Sequence, residues 1–326
     1  MTGPAIRGSL NRSRVLRAVT AGSAVTALCA VTTAPVTADG APRAAQPTVV
    51  LVHGAFADGS SWNGVIERLE HRGYTVMAPA NPLRGLYSDS AYIASVLKTV
   101  KGPIVLVGHS YGGAVISTAA AGNPQVKSLV YINALMPDVG ESGMSLSAPF
   151  PSALATATTS VPYRTTGGSG TDLYLKRDRV HPVFANCLSA DQANLLSVTQ
   201  RPAATAAFSE TAKVAAWKEI PSWALVGRQD RTISPQQERF EAQRAHSHTK
   251  EIDSCHVSLI ARPDAVADLI VQGATAAADG AVPKLANTGT GLPKGHTLAL
   301  GALAAALLTA GGAVLLLGRR PQPARR

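Results

Sequence analysis

The chain has 326 residues, 46% of them hydrophobic and 15% charged, which is enough apolar material for a large buried core and too much for a disordered polymer. Its formal charge is +10, but the excess lies at the ends: Arg7, Arg12, Arg14 and Arg17 before residue 39, and Lys294, Arg319, Arg320, Arg325 and Arg326 after residue 288, with no acid in either stretch. With those nine set aside, the remaining 21 basic residues face 20 acids, so the body carries no basic footprint for nucleic acid.

Residues 1–38 read as a secretory signal peptide. Four arginines precede an apolar and small-residue run at 18–33, and Val36 and Ala38 occupy the −3 and −1 positions of a cleavage site. The run is short and broken by Thr, Gly and Ser, which disfavours a membrane span. No Arg-Arg pair marks a twin-arginine signal. The mature body is therefore expected to begin near Asp39, outside the cytoplasm.

Short β-branched runs at 48–52, 74–78, 103–107, 128–133, 222–226 and 249–252 predict buried parallel strands. Helical patterns at 62–71, 90–100, 111–121, 235–246 and 263–274 fall between and after them. Such alternation predicts an α/β fold with a doubly wound, mostly parallel sheet. The regularity stops at 139–220, a Ser, Thr, Ala and Pro-rich insertion with helices expected at 191–200 and 208–220. It reads as a mainly helical cap, dividing the core into residues 47–138 and 221–275. No phosphate-cradling Gly-rich loop is present, so no nucleotide cofactor is expected, and no metal site is assigned.

The strand at 103–107 runs into Gly108-His109-Ser110-Tyr111-Gly112-Gly113 and then a helix, the context that a Gly-x-Ser-x-Gly elbow requires. A turn that tight pushes one side chain out at the carboxyl end of the sheet, which makes Ser110 the candidate nucleophile. A serine hydroxyl needs a base, and the order along the chain in this fold is serine, acid, histidine. His256 follows the last strand and is the candidate base; His246 and His248 are rivals placed at a helix end and a strand start. Asp230 follows the strand at 222–226 and is the candidate acid, with Asp138 as the alternative. An oxyanion needs two backbone donors. Tyr111 supplies one; Ala55, in the loop after the first strand, is expected to supply the second, with Phe56 as the near alternative. His53 is read as a structural partner of that loop.

Through Val52-His53-Gly54-Ala55, the serine elbow, Asp230 and His256, the chain resembles the α/β-hydrolase superfamily over about residues 47–274. The loop His53-Gly54-Ala55 with Gly59-Ser60-Ser61-Trp62 is similar to that of small carboxylesterases and methylesterases, a branch that also holds hydroxynitrile lyases. The resemblance implies a cofactor-free hydrolase acting on a small-molecule ester, its pocket shaped by the cap. Six predicted strands are fewer than the family's usual eight. A binding protein that keeps the fold, or a lyase, acyltransferase or perhydrolase using the same residues, is the alternative. Phe150, Tyr163, Tyr174, Phe184 and Trp217 are candidate pocket walls or equally cap core.

Two cysteines survive processing, Cys187 and Cys255. An oxidising exterior permits them to pair, and two unpaired buried thiols are the alternative. Beyond a linker at 276–297, residues 298–317 form an uncharged apolar run of 20 residues, about 30 Å as a helix. A basic tail at 318–326 follows, so the tail belongs on the cytoplasmic side and the body outside. Leu285, Ala286, Asn287, Thr288 and Gly289, placed before this span, resemble the sorting signal of wall-anchored Gram-positive proteins, with Ala286 where the common form has Pro. That resemblance implies sortase and peptidoglycan as partners, with membrane anchorage before cleavage after Thr288. A plain membrane anchor is the alternative.

Overall fold

The computed structural model describes residues 46–278. The signal peptide, sorting pentapeptide, apolar run and basic tail named above lie outside the described residues. Among the described residues no helix is long and apolar enough to cross a membrane.

The elements in chain order are β1 (Thr48–Val52), α1 (Asn63–His71), β2 (Val76–Met77), α2 (Leu86–Leu97), β3 (Ile104–His109), α3 (Tyr111–Ala119) and β4 (Val126–Ile132). The insertion then carries α4 (Gly143–Ser147), β5 (Thr158–Thr165), β6 (Gly168–Leu175), α5 (Arg177–Arg179), a π-turn (Val180–Phe184), α6 (Ala190–Thr199), β7 (Ala203–Ala204) and α7 (Thr205–Ser209). After it come β8 (Ser222–Gly227), α8 (Pro235–Arg244), β9 (His248–Ile252), α9 (Ser258–Ala261) and α10 (Pro263–Ala278). Among the described residues six parallel strands form the main sheet in the order β2-β1-β3-β4-β8-β9.

The central apolar runs become strands because both sheet faces are covered there, whereas β9, expected to be buried, is an edge strand of sequence His-Thr-Lys-Glu-Ile with exposed and half-buried side chains. Ile104, Val105, Leu106 and Val107 of β3 are all 0% exposed, and burying each such side chain contributes about 1.5–3 kcal/mol. On β4, Val130 and Ser128 meet Gly273 of α10, whereas Tyr131 meets Gly113 of α3. Neighbouring residues of a strand point to opposite faces, so α10 and α3 lie on opposite sides of the sheet. Chain order reverses between β1 and β3, which are adjacent with Val52 opposite Gly108. A crevice at the carboxyl ends of such strands is where open α/β sheets bind ligands.

Two features of the insertion differ from the sequence expectation. Residues 158–175 form an antiparallel hairpin, β5 on β6, to which β7 adds two residues. Thr, Ser, Val and Tyr favour this extended pairing. The helix expected at 208–220 breaks into α7 and a single 3₁₀ turn, Ala216–Lys218. Between them the backbone pairs outward: the Ala212 amide donates to Glu141 O at 2.7 Å and the Gly140 amide donates to Ala212 O at 2.8 Å. The last helix continues to Ala278, past residue 276 where the linker was expected to begin. Cys187 and Cys255 are joined by a disulfide, with their Cα atoms 5.4 Å apart, so the insertion is tied to the residue preceding His256.

Candidate active site

The elbow is built by close approach. A Cβ on Gly108 would lie 2.6 Å from Gly112 O, and one on Gly112 would lie 2.4 Å from Val52 O; both positions require glycine. Between them Ser110 takes φ 55°, a conformation that costs a non-glycine residue about 1–3 kcal/mol. Its backbone is held in place on both sides. The Ser110 amide donates to Ile132 O and Asn133 O at 3.2 and 3.1 Å, and Ser110 O accepts from the amides of Gly113 and Leu135 at 2.9 and 3.1 Å.

The side chains of the three candidate residues meet. Ser110 Oγ lies 2.8 Å from His256 Nε2, and His256 Nδ1 lies 2.6 Å from Asp230 Oδ2. The other Asp230 oxygen accepts from the amides of Thr232 and Ile233 at 2.7 and 3.0 Å. A carboxylate accepts only, so Nδ1 carries the proton and Nε2 is left to accept from the serine hydroxyl. Ser110 is 7% exposed, Asp230 5% and His256 0%, so water competes little for these bonds. His109 adds a support that the sequence did not reveal: its Nε2–H donates to the carbonyl of His256 at 3.0 Å. Burial, reinforced by the neighbouring His256, pushes His109 well below the usual imidazole range, which keeps it neutral.

Asp138 lies elsewhere, its Oδ1 2.5 Å from Lys218 Nζ, and does not reach His256. His248 stacks on Trp223 with ring centroids 5.0 Å apart. His53 has the structural role expected of it. Its Nδ1–H donates to Gly54 O at 2.9 Å and its Nε2 accepts from the Asn81 amide at 2.9 Å, while burial lowers its pKa.

The β1 loop lies directly against Ser110, since a Cβ on Gly54 would come 2.6 Å from Ser110 Cβ. The amides of Ala55, Phe56 and Tyr111 have no acceptor among the described residues. Tyr111 and both alternatives for its companion donor therefore keep an unused backbone N–H. The Tyr111 side chain points elsewhere and donates its hydroxyl to buried Asp89 at 2.8 Å.

Aromatic rings close over this centre. Phe184 lies 5.1 Å from the His256 ring and packs edge-on against Phe56 at 6.3 Å; Phe208 stacks on Phe56 at 6.4 Å and meets Tyr111 at 5.7 Å. Of the five pocket-wall candidates, Phe184 is the one with a ring contact to His256. Phe150 packs on Phe240, Tyr163 lies beneath Arg84, and Trp217 donates Nε1–H to Pro137 O. Phe208 was not among those candidates, and nothing in its local sequence marks its approach to Phe56 and Tyr111. Among the described residues, Asp230, Glu238 and His256 form the one group with metal-ligating atoms within 4.8 Å of one another. The direct Asp230–His256 bond occupies the space a cation would need, so this grouping does not fit a metal.

A family model described as "Alpha/beta hydrolase family" matches residues 49–269. The chain is 34% identical over 110 residues to a carbendazim hydrolyzing esterase of Nocardioides sp. strain SG-4G, a match covering 30% of this chain and 46% of that protein. It is 34% identical over 100 residues to a pyrethroid hydrolase of Sphingobium wenxiniae, covering 27% and 36%. In these matches the chain spans under half the length of either relative. Among solved structures, polyneuridine aldehyde esterase superposes with a TM-score of 0.62 at 19% identity over 70% of this chain and 98% of that one, a likeness of fold.

Proposed function

The chain belongs to the alpha/beta hydrolase family, and on that premise we propose that it is a serine esterase acting on small carboxylic esters through an acyl-enzyme. The observation that carries this reading is the continuous bond chain from Ser110 Oγ through His256 to Asp230, at 2.8 and 2.6 Å. Ser110 Oγ attacks the ester carbonyl as His256 Nε2 takes its proton. Asp230 stabilises the imidazolium, and the amides of Ala55 and Tyr111 receive the oxyanion. His256 then returns the proton to the departing alcohol. Water, deprotonated by the same nitrogen, cleaves the acyl-serine and restores the hydroxyl. The rings of Phe56, Phe184 and Phe208 favour a substrate with an apolar group beside the scissile bond. The names of the two curated relatives, an esterase and a hydrolase, support the same reaction class.

The test is turnover of p-nitrophenyl esters of rising chain length by the protein and its Ser110→Ala variant. Loss of a nucleophile that works as part of a triad costs as much as ~10⁶ in kcat, so the variant is expected to be inactive. Equal turnover by both would overturn the reading, and a folded native protein without turnover would favour a binding role.

We also propose that the protein is exported, cut after Thr288 by a sortase and joined to peptidoglycan, with residues 1–38, 285–289 and 298–317 as the addressing segments. The support is the order of pentapeptide, apolar run and basic tail. Wall fragments from the native host should carry peptides ending at Thr288. Recovery only of intact chain from the membrane fraction would overturn this.

A further inference from the structure

Glu238 of α8 is 3% exposed, and no step above uses it. One of its carboxyl oxygens accepts from Asn133 Nδ2 at 3.1 Å and the other from the Gly227 amide at 3.0 Å. Asn133 in turn accepts from the hydroxyl of Ser258, two residues beyond His256. A carboxyl oxygen of Glu238 lies within 4.8 Å of one of Asp230.

Two buried carboxyl groups this close, with no basic side chain paired to either, do not both ionise. The groups facing this pocket are Glu238 and, one turn on, Glu241 from α8, Asp230 from the β8 loop, and His256 with His109 beneath it. Among the described residues no lysine or arginine pairs with Asp230 or Glu238; Arg244 pairs with Glu141 beyond Glu241. One proton must therefore reside on the carboxyl pair. Asp230 receives three N–H donors, from Thr232, Ile233 and His256, whereas Glu238 receives two. The better solvated charge is on Asp230, and the proton falls to Glu238.

We propose that Glu238 is a positioning residue of the triad, a neutral acid whose O–H donates to the Asp230 carboxylate and fixes the oxygen it presents to His256. Burial first, and the Asp230 charge second, push the Glu238 carboxyl well above the usual carboxylate range. The protonation matters for the base. A second charge here would stabilise the imidazolium and take away the free Nε2 that Ser110 needs. During acyl transfer the mobile proton passes between Ser110 and His256, Asp230 stays ionised, and the Glu238 proton stays in place.

The inference rests on the esterase reading for its kinetic consequence but not for its test, because the His256 ring can be titrated by NMR without turnover. Full-length native protein is compared with Glu238→Gln, which keeps zero charge and a donor to Asp230, and with Glu238→Ala. With a neutral Glu238 the Gln variant should titrate within about 0.3 pH unit of the native ring, since no charge has been removed. Glu238→Ala should lower kcat on the order of tenfold or more with KM little moved, and Gln should restore kcat to within about fivefold. A His256 titration that moves down by about one unit or more in the Gln variant would show an ionised Glu238 and overturn the proposal. Native kcat in Glu238→Ala would overturn it too. Should the Ala variant not fold, the Gln titration decides alone, and absence of native turnover would count against the esterase reading while leaving that titration intact.

Discussion

Asp230 settles which face of His256 is available, because its carboxylate can only accept from Nδ1 at 2.6 Å. Replacing it with Asn offers the ring an amide that can donate, and a donor there places the imidazole proton on Nε2, where it blocks the transfer from Ser110. Asp230→Asn should therefore lower kcat by on the order of 10³–10⁴ while the protein stays folded; steady-state kinetics with a p-nitrophenyl ester would check this, and a loss under tenfold would remove Asp230 from the mechanism. Ser110, Asp230 and His256 were legible because each follows a strand at the same sheet edge, in an order with a chemical meaning. Glu238 and His109 were not. Glu238 meets Asn133 across a separation of 105 residues, and nothing local distinguishes a glutamate that turns inward from one on a solvated helix face.

At the scale of elements, the core strands were readable because burial on both sheet faces leaves continuous apolar runs such as Ile104-Val105-Leu106-Val107. The insertion is covered on one side only, and its half-exposed hairpin at 158–175 is rich in Thr, Ser and Gly without a clean alternation, so no strand was expected there. Sequence also left the cysteines undecided, because pairing depends on a Cα separation that only the fold provides. The bridge they form closes a sequence separation of 68 residues and joins the insertion to the loop that carries His256. Removing such a crosslink costs about 2–4 kcal/mol. A Cys187→Ala/Cys255→Ala double variant should unfold roughly 5–15 °C lower on that basis, measured by thermal melting at fixed pH. An unchanged melting temperature would mean that the bridge does not restrain the chain.

Across the whole molecule, stability should depend on pH through buried acids. Burial is the largest influence on Glu241 and pushes its carboxyl from the ordinary 4.5 to about 8, against the opposing pull of the Met136 amide, Gln237 and Arg244. The folded state therefore holds this proton more tightly than the unfolded chain. Its stabilising contribution is complete below pH 4.5 and is lost as pH rises through about 8. Denaturant midpoints should fall between pH 5 and pH 8 by about a few kcal/mol equivalent, and the fall should be smaller in Glu241→Gln; equal slopes in the two proteins would contradict this. Folding, bridging and charge placement meet at the carboxyl end of the sheet, where the proposed function requires an activated Ser110. The most direct measurement is intact-mass and peptide mapping of the protein after exposure to a fluorophosphonate. One adduct on Ser110, absent from Ser110→Ala and slowed in Asp230→Asn, is the expected result, whereas a folded protein that takes up no label, or takes it up on another residue, would contradict the assignment of Ser110 as nucleophile.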